Sequence, residues 1–242
     1  PVSLSAQDLF ITSPEGKMLV GPLNFTLHAG QRAVLVGQSG SGKSSLLNVL
    51  AGFLPYRGSL KVNGVELRHL QPEGWRQLMS WVGQNPQLPA ATLRENVLLG
   101  NPDASEQQLH QALEKAWVNE FLPQLPEGID TAVGEQAARL SVGQAQRVAV
   151  ARALLAPCRL LLLDEPAASL DAHSERRVMQ ALTDASTQQT TLMVTHQLEG
   201  LAEWDAIWVM ENGQIIEQGT YQQLLDMQGV FASLLAHRQE EI

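Results

Sequence analysis

Residues 37–45 combine the residue types that bind phosphate groups. Glycines let a loop curl so that successive backbone N–H groups converge on phosphate oxygens, and a following helix adds its positive end. A lysine next to a serine can contact the β- and γ-phosphates of a nucleotide while the hydroxyl binds Mg²⁺. The pattern Gly, four residues, Gly-Lys-Ser therefore predicts a nucleoside-triphosphate site, with a Gly/Ser turn before a helix as the alternative. Its candidate residues are Gly37, Gln38, Ser39, Gly40, Ser41, Gly42, Lys43, Ser44 and Ser45.

Two acids, Asp164 and Glu165, follow the apolar run at residues 160–163. An acid at the carboxyl end of a buried strand can reach the Mg²⁺ that Ser44 would hold. The next acid can orient or deprotonate a water molecule in line with the γ-phosphate. We therefore expect Asp164 to bind the metal and Glu165 to act on water, with two surface acids capping a strand as the alternative.

The elements that must position these residues alternate between strands and helices. The run at 33–36 leads into the glycine loop, and an apolar helix is predicted over 44–54, which is half of a parallel βαβ unit. Other continuous apolar runs predict strands that are covered on both faces. These runs are 160–163, 191–194 and 206–210, the last entering an Asn-Gly hairpin that returns over 214–216.

The segment over residues 85–156 is predicted to be helical. Asp103 and Glu106 have the spacing of a capping box and predict an amphipathic helix that extends through Trp117. Ser141 is predicted to open another helix. We therefore expect an α/β fold in which residues 1–84 and 157–242 form a sheet core and residues 85–156 an inserted helical lobe.

Composition and net charge exclude several classes of protein. The 242 residues are 44% hydrophobic and 17% charged, which is typical of a globular domain. The 16 basic and 25 acidic residues give a net charge of −9, so a broad nucleic-acid-binding face is not expected. No apolar run has the length of a membrane span, and Cys158, the single cysteine, is interpreted as a small buried hydrophobe rather than a reactive thiol.

The order of the motifs resembles that of the nucleotide-binding domains of ATP-binding-cassette (ABC) proteins over nearly the whole chain. The resemblance implies a P-loop NTPase fold with a RecA-like sheet core, an antiparallel β subdomain and an inserted helical lobe, and it implies ATP and Mg²⁺ as ligands. Gln84 occupies the Q-loop position, Asp171 ends the D-loop segment Ser169-Leu170-Asp171, and His196 occupies the switch position. The family signature Leu-Ser-Gly-Gly-Gln corresponds here to Leu140, Ser141, Val142, Gly143 and Gln144.

The resemblance also implies a composite site between two such domains packed head-to-tail. Ser141 and the end of its helix would face the partner domain's γ-phosphate, and Asp171 would cross the interface. Gln84 would sense Mg²⁺ and water as a further metal ligand, and His196 would contact the γ-phosphate. Because ATP would bind the closed pair more tightly than the open pair, it would shift the population towards the closed pair.

Residues 92–97 and the segment Thr131-Ala132-Val133-Gly134-Glu135 resemble exporters rather than importers. Residues 164–173 and 234–241 resemble the D subunit of the bacterial cytochrome bd assembly transporters, a heterodimeric (CydDC-type) exporter family linked to cysteine and glutathione export, with haem also implicated. That resemblance implies a transmembrane domain before Pro1, a different subunit as partner, and a place on the cytoplasmic face of the bacterial inner membrane. The alternatives are an exporter of a lipid, peptide, drug or haem, an ABC ATPase that acts outside transport, and a regulatory module that does not hydrolyse ATP.

Two residues depart from the family pattern. Val142 replaces the first signature glycine, and its β-branched side chain adds bulk where a phosphate would approach, so we expect the partner's ATP site to be weakened. Ser13 stands where exporters usually carry an aromatic ring that stacks on adenine, so we expect relaxed base selectivity. The neighbouring Phe10 is interpreted as core packing.

Overall fold

The computed structural model describes residues 1–38, 40, 42–84, 86–134, 139–168 and 170–240. Its largest sheet has six strands in the order β12-β11-β3-β10-β9-β6, and all neighbouring pairs are parallel except the β11–β12 hairpin. The strands of this sheet are β3 (Arg32–Val36), β6 (Met79–Val82), β9 (Leu160–Asp164), β10 (Thr191–Thr195), β11 (Ala206–Glu211) and β12 (Gln214–Gly219). The predicted apolar runs therefore form strands, and the predicted Asn212-Gly213 turn joins the last two.

A second, antiparallel sheet carries the N-terminus. Its strand order is β2-β1-β4-β5, and a separate two-stranded ladder, β7–β8, lies within the segment predicted to be only helical. The strands are β1 (Leu4–Thr12), β2 (Met18–Leu27), β4 (Tyr56–Val62), β5 (Val65–Glu66), β7 (Ala91–Thr92) and β8 (Ala132–Val133). The fold is thus α/β with an antiparallel subdomain.

The helices surround the parallel sheet and connect its strands. No helix among the described residues is long and apolar enough to cross a membrane. The α-helices are α1 (Lys43–Leu50), α2 (Pro72–Arg76), α3 (Leu93–Leu98), α4 (Glu106–Lys115), α5 (Val142–Leu155), α6 (Ala172–Ala185), α7 (Tyr221–Met227) and α8 (Val230–Glu240).

Three predicted helix boundaries are wrong. Helix α1 ends at Leu50 rather than at residue 54, because Gly52 has a φ of +86° and this left-handed conformation ends the helix. Helix α4 is capped by Ser105 rather than by Asp103, since the Ser105 hydroxyl accepts from the Gln108 N–H and the Gln108 side chain accepts from the Ser105 N–H.

Asp103 lies in the turn before α4, where its N–H donates to the side chain of Asn101 over 3.2 Å. The far end of the same helix also differs from the prediction. Helix α4 stops at Lys115, and Trp117 has a left-handed φ of +60°.

The parallel sheet separates two apolar cores because alternate residues of each strand point to opposite faces. Val34 and Leu163 face the core to which helices α3 to α8 contribute. Leu35 and Leu162 face the core that contains α1 and the antiparallel sheet. Helix α1 is therefore packed between the two sheets, which fixes the loop that precedes it.

Candidate functional site

The glycine loop connects the end of β3 to the start of α1. Gly42 is the N-cap of α1 with a φ of +95°, and a Cβ on this residue would lie 2.4 Å from Cγ2 of Val20 on β2. A side chain at position 42 would therefore be strained by the backbone and blocked by the antiparallel sheet. Ser39 and Ser41, predicted members of this loop, lie outside the described residues, while Gln38 and Gly40 are exposed and Ser45 lies in α1.

The loop and the ends of two strands bring four predicted site residues together. Ser44 Oγ donates to Asp164 Oδ1 over 3.3 Å. Lys43 is buried, donates to the Gly37 carbonyl, and lies 3.6 Å from Glu165 Oε1. These contacts place Lys43 and Ser44 against the two acids at the end of β9.

His196 joins the same group from the end of β10. Its Nδ1 lies 2.8 Å from Glu165 Oε2, and its backbone N–H donates to the same oxygen over 3.2 Å. Glu165 has a left-handed φ of +47°, and its N–H donates to the Val194 carbonyl over 2.8 Å. The strained backbone of Glu165 is thus held by the neighbouring strand.

Burial sets the electrostatics of this group, which we name the acid–lysine cluster and define as Lys43, Ser44, Asp164, Glu165 and His196. Burial raises the pKa of Asp164, although the hydrogen bond from Ser44 opposes the rise. Burial lowers the pKa of Lys43, although the Glu165 carboxylate opposes the fall. A raised pKa for Asp164 and a lowered pKa for Lys43 both mean that, without a ligand, the fold disfavours the charged form of the side chain.

The oxygens of Ser44 and Asp164 fit a magnesium ion. Mg²⁺ prefers hard oxygen ligands, and adjacent ligands in its octahedral shell lie about 3 Å apart. The 3.3 Å separation of Ser44 Oγ and Asp164 Oδ1 is close to that spacing. These two residues can therefore supply two neighbouring positions, with phosphate oxygens and water for the rest.

Gln84, a predicted metal ligand, does not join the acid–lysine cluster. Gln84 follows β6 at the same sheet edge with an exposed side chain, and no hydrogen bond between described residues links it to the cluster. Gln146, which sequence reasoning did not single out, donates from the signature helix α5 to the Gly83 carbonyl over 2.9 Å. The backbone before Gln84 is thus fixed by the signature helix.

The signature residues form the N-terminus of α5. Ser141 caps this helix in a capping box with Gln144, and the side chain of Val142 is exposed. A Cβ on Gly143 would lie 3.0 Å from the Ser174 side chain on α6, so this glycine permits close helix packing. Leu140 packs against the core that lies below these helices.

Asp171 has a structural role that the sequence interpretation missed. It caps α6, since Oδ1 accepts from the Ser174 N–H over 2.8 Å and Oδ2 from the Ser174 hydroxyl over 3.1 Å. These hydrogen bonds lower the pKa of Asp171. The spacing Asp-x-x-Ser before a helix was the available signal. Ser169 and Glu135, from the predicted D-loop and X-loop, lie outside the described residues.

Three further predictions concern Ser13, Phe10 and Cys158. Ser13 follows β1 in a tight turn, where its N–H donates to the Lys17 carbonyl over 2.8 Å. The interpretation of Phe10 as core packing is wrong, because Leu9 and Ile11 are the residues that enter the core and Phe10 lies half-buried on the opposite face. Burial raises the pKa of the Cys158 thiol, which agrees with an unreactive residue.

A phosphate loop between a parallel strand and a helix, with an acid pair at the end of a neighbouring strand, defines a P-loop nucleoside triphosphatase. The sequence profile of the ABC transporter family matches residues 20–168, and the chain belongs to this family. It is therefore an ATP-binding ATPase domain of ABC type.

Relatives at high identity are bacterial transport proteins. The chain is 76% identical over 242 residues to the glutathione/L-cysteine transport system ATP-binding/permease protein CydD of Escherichia coli strain K12. It is 61% identical over 242 residues to the transport ATP-binding protein AarD of Providencia stuartii. In both comparisons all of this chain is covered, but it spans only 41% of the relative.

A solved structure supports the fold. A bacterial Atm1-family ABC exporter with ATP bound matches with a TM-score of 0.85 and 30% identity. The match covers 98% of this chain and 42% of that exporter chain. The comparison therefore extends through both sheets and the helices between them.

Proposed function

We propose that this chain binds and hydrolyses ATP to drive a bacterial exporter of cysteine and glutathione from the cytoplasm to the periplasm, an activity needed for cytochrome bd assembly. The acid–lysine cluster is the observation that carries the hydrolytic part of this proposal. The substrate is suggested by the 76% identity to the Escherichia coli glutathione/L-cysteine transport protein.

Three residues of the chain would have separate roles in hydrolysis. Lys43 would exchange its contacts with the Gly37 carbonyl and Glu165 for oxygens of the β- and γ-phosphates. Glu165 would then be free to orient a water molecule and accept its proton, because its carboxylate already lies beside the phosphate loop. His196, within 2.8 Å of that carboxylate, would contact the γ-phosphate.

Magnesium, when bound, would neutralise the charge that develops on the phosphates. Ser44 and Asp164 would hold it, and Gln84 would complete that side of the site from the end of β6. The hydrogen bond between Gln146 and the Gly83 carbonyl supports a link from the signature helix to Gln84.

We further propose that a second ABC domain from a different subunit completes each ATP site. Ser141, at the exposed N-terminus of α5, would present backbone N–H groups to the partner's γ-phosphate. Val142 in place of glycine favours an asymmetric pair, since in a homodimer both sites would carry this change. Asp171 would contact the partner while it continues to cap α6.

In the complete protein we propose a transmembrane domain before Pro1, which places this chain on the cytoplasmic face of the bacterial inner membrane. The chain's share of 41% in its relatives leaves room for such a domain. Within the chain, residues 1–84 and 157–242 would form the catalytic core and residues 85–156 the helical lobe.

Transport by the full-length protein paired with its partner subunit tests this proposal. Inside-out vesicles should accumulate radiolabelled glutathione or cysteine when ATP and Mg²⁺ are added, and vesicles with Glu165→Gln should not. Glu95→Gln is a matched control, because it makes the same change in the capping box of α3. Uptake that does not depend on ATP, or uptake of neither thiol despite normal ATP hydrolysis, would contradict the proposed transport function.

A further inference from the structure

The C-terminal helix α8 lies directly beside the phosphate loop. Leu234 lines two cavities that Gly37 and Gln38 also line, and the second of these is bounded by His196 and Arg238. The buried side chains of Phe231 and Leu235 hold the helix against the core. A segment outside the nucleotide motifs therefore borders the predicted γ-phosphate site.

Hydrogen bonds fix both ends of α8. At its start, the Glu217 carboxylate accepts from the N–H groups of Val230 over 2.7 Å and Phe231 over 3.0 Å. Near its end, Arg238 Nη2 donates to the His196 carbonyl over 2.6 Å, and Nη1 to Gln197 Oε1 over 3.3 Å. A planar guanidinium can hold two acceptors at once in a fixed arrangement.

Further contacts connect Gln197 through the His196 ring to the Glu165 carboxylate. Nε2 of Gln197 lies 3.4 Å from Nε2 of His196, and the other ring nitrogen of His196 lies 2.8 Å from Glu165. The His196 side chain is 42% exposed, so packing alone does not fix its ring. Its orientation therefore depends on the Glu165 carboxylate at one ring nitrogen, and at the other on the Gln197 side chain and the His196 backbone that Arg238 holds.

We propose that Arg238 is a positioning residue for ATP hydrolysis, which sets the His196 imidazole against the γ-phosphate through the His196 carbonyl and the Gln197 side chain. This proposal rests on the proposed function of the acid–lysine cluster. ATP requires the positioned imidazole, whereas ADP has no γ-phosphate and does not.

The test compares Arg238→Gln with wild type in nucleotide binding and in hydrolysis by the full-length transporter. A displaced catalytic group can cost about 10-fold or more in rate, so we expect kcat to fall about 10-fold. Affinity for a non-hydrolysable ATP analogue should fall several-fold, while affinity for ADP and the melting temperature stay unchanged. Arg159→Gln is the matched control, because Arg159 is exposed at the opposite end of β9.

Two further variants separate positioning from charge. Arg238→Lys keeps the positive charge but cannot hold both acceptors, so it should also lose most of the rate. Gln197→Ala keeps Arg238 and should lower kcat in the same direction. Wild-type rates in Arg238→Lys would show that charge alone matters and would overturn the proposal.

The remaining outcomes are also decisive. Equal losses of ADP and analogue affinity in Arg238→Gln, with a lower melting temperature, would assign Arg238 a structural role only and overturn the proposal. Unchanged kcat and unchanged analogue affinity would overturn it as well. Failure of the wild-type protein to bind or hydrolyse ATP would instead refute the proposed function.

Discussion

Gly42→Ala is predicted to destabilise the chain through two separable effects. The left-handed backbone at position 42, with a φ of +95°, costs an alanine about 1–2 kcal/mol. The new Cβ would also lie 2.4 Å from Cγ2 of Val20, a buried side chain that must move by more than 1 Å, and such overpacking costs about 1–3 kcal/mol. The total loss in the free energy of unfolding should therefore be about 2–5 kcal/mol.

Gly64→Ala isolates the backbone effect. Gly64 has a similar φ of +82° but no atom within 4 Å of the position of a Cβ. This variant should lose only about 1–2 kcal/mol. Urea unfolding of both variants measures the difference, which should be about 1–3 kcal/mol and is the part due to Val20.

A double-mutant cycle provides the decisive comparison. Val20→Ala should destabilise the wild type by leaving a cavity, but in the Gly42→Ala background it should remove the clash and cost little or nothing. A coupling energy below about 0.5 kcal/mol would refute this reasoning, as would equal losses in Gly42→Ala and Gly64→Ala. Either result would mean that the antiparallel sheet does not restrict the phosphate loop.

Three further predictions concern the buried charge of Asp164, the signature residue Val142 and selection of the nucleotide's base. Asp164→Asn should raise the melting temperature of the ligand-free chain at pH 7 by about 1–3 °C, as observed when functional charges are removed from other sites, and should abolish stabilisation by Mg²⁺ with ATP. Because the folded pKa of Asp164 is raised, the cost of ionisation appears as pH rises, so this gain should shrink on acidification towards about pH 4. Val142→Gly in the paired transporter should raise ATP affinity or hydrolysis about 2- to 5-fold, measured by titration and phosphate release. Without a stacking ring at Ser13, the affinities for ATP and GTP should differ by less than about 10-fold in competition binding, since one stacking contact is worth about 1–3 kcal/mol.

Each of these predictions has a contradicting result. Thermal melts in which Asp164→Asn is no more stable than wild type at pH 7 would show that burial of this charge costs the fold nothing. An unchanged rate and affinity in Val142→Gly would remove the argument for a weakened partner site. A strong preference for ATP that survives Phe10→Ala would show that base selection does not need an aromatic ring from β1.

The parallel strands and the phosphate loop could be predicted because their signals are local. Continuous apolar runs of four or five residues, each ending in a glycine, acid or hydroxyl residue, define β3, β9 and β10 and place their polar residues at one edge of the sheet. The meeting of Lys43, Glu165 and His196 follows from that order.

Helix boundaries were harder to predict because several capping residues compete over a few positions. Asp103 and Ser105 each precede a residue that can complete a capping box, and only the tertiary structure selects Ser105. Gly52 was visible in the sequence as a helix-ending residue, but the apolar residues that follow it obscured that signal.

The contacts of Gln146 and Arg238 could not be predicted from local pattern. Gln146 bonds to a carbonyl 63 residues earlier, and Arg238 to one 42 residues earlier. Neither Gln146 nor Arg238 belongs to a recognisable sequence motif. Their partners are backbone groups, so the sequence offers no complementary residue to search for.

The central claim is that the acid–lysine cluster hydrolyses ATP, and Glu165→Gln tests it most directly. In the full-length transporter this variant should lose about 100-fold or more in kcat, since it removes a general base, while ATP still binds with Mg²⁺. It should also accumulate the closed, ATP-bound pair, visible as nucleotide retained after gel filtration. Hydrolysis at the wild-type rate in Glu165→Gln would contradict the claim.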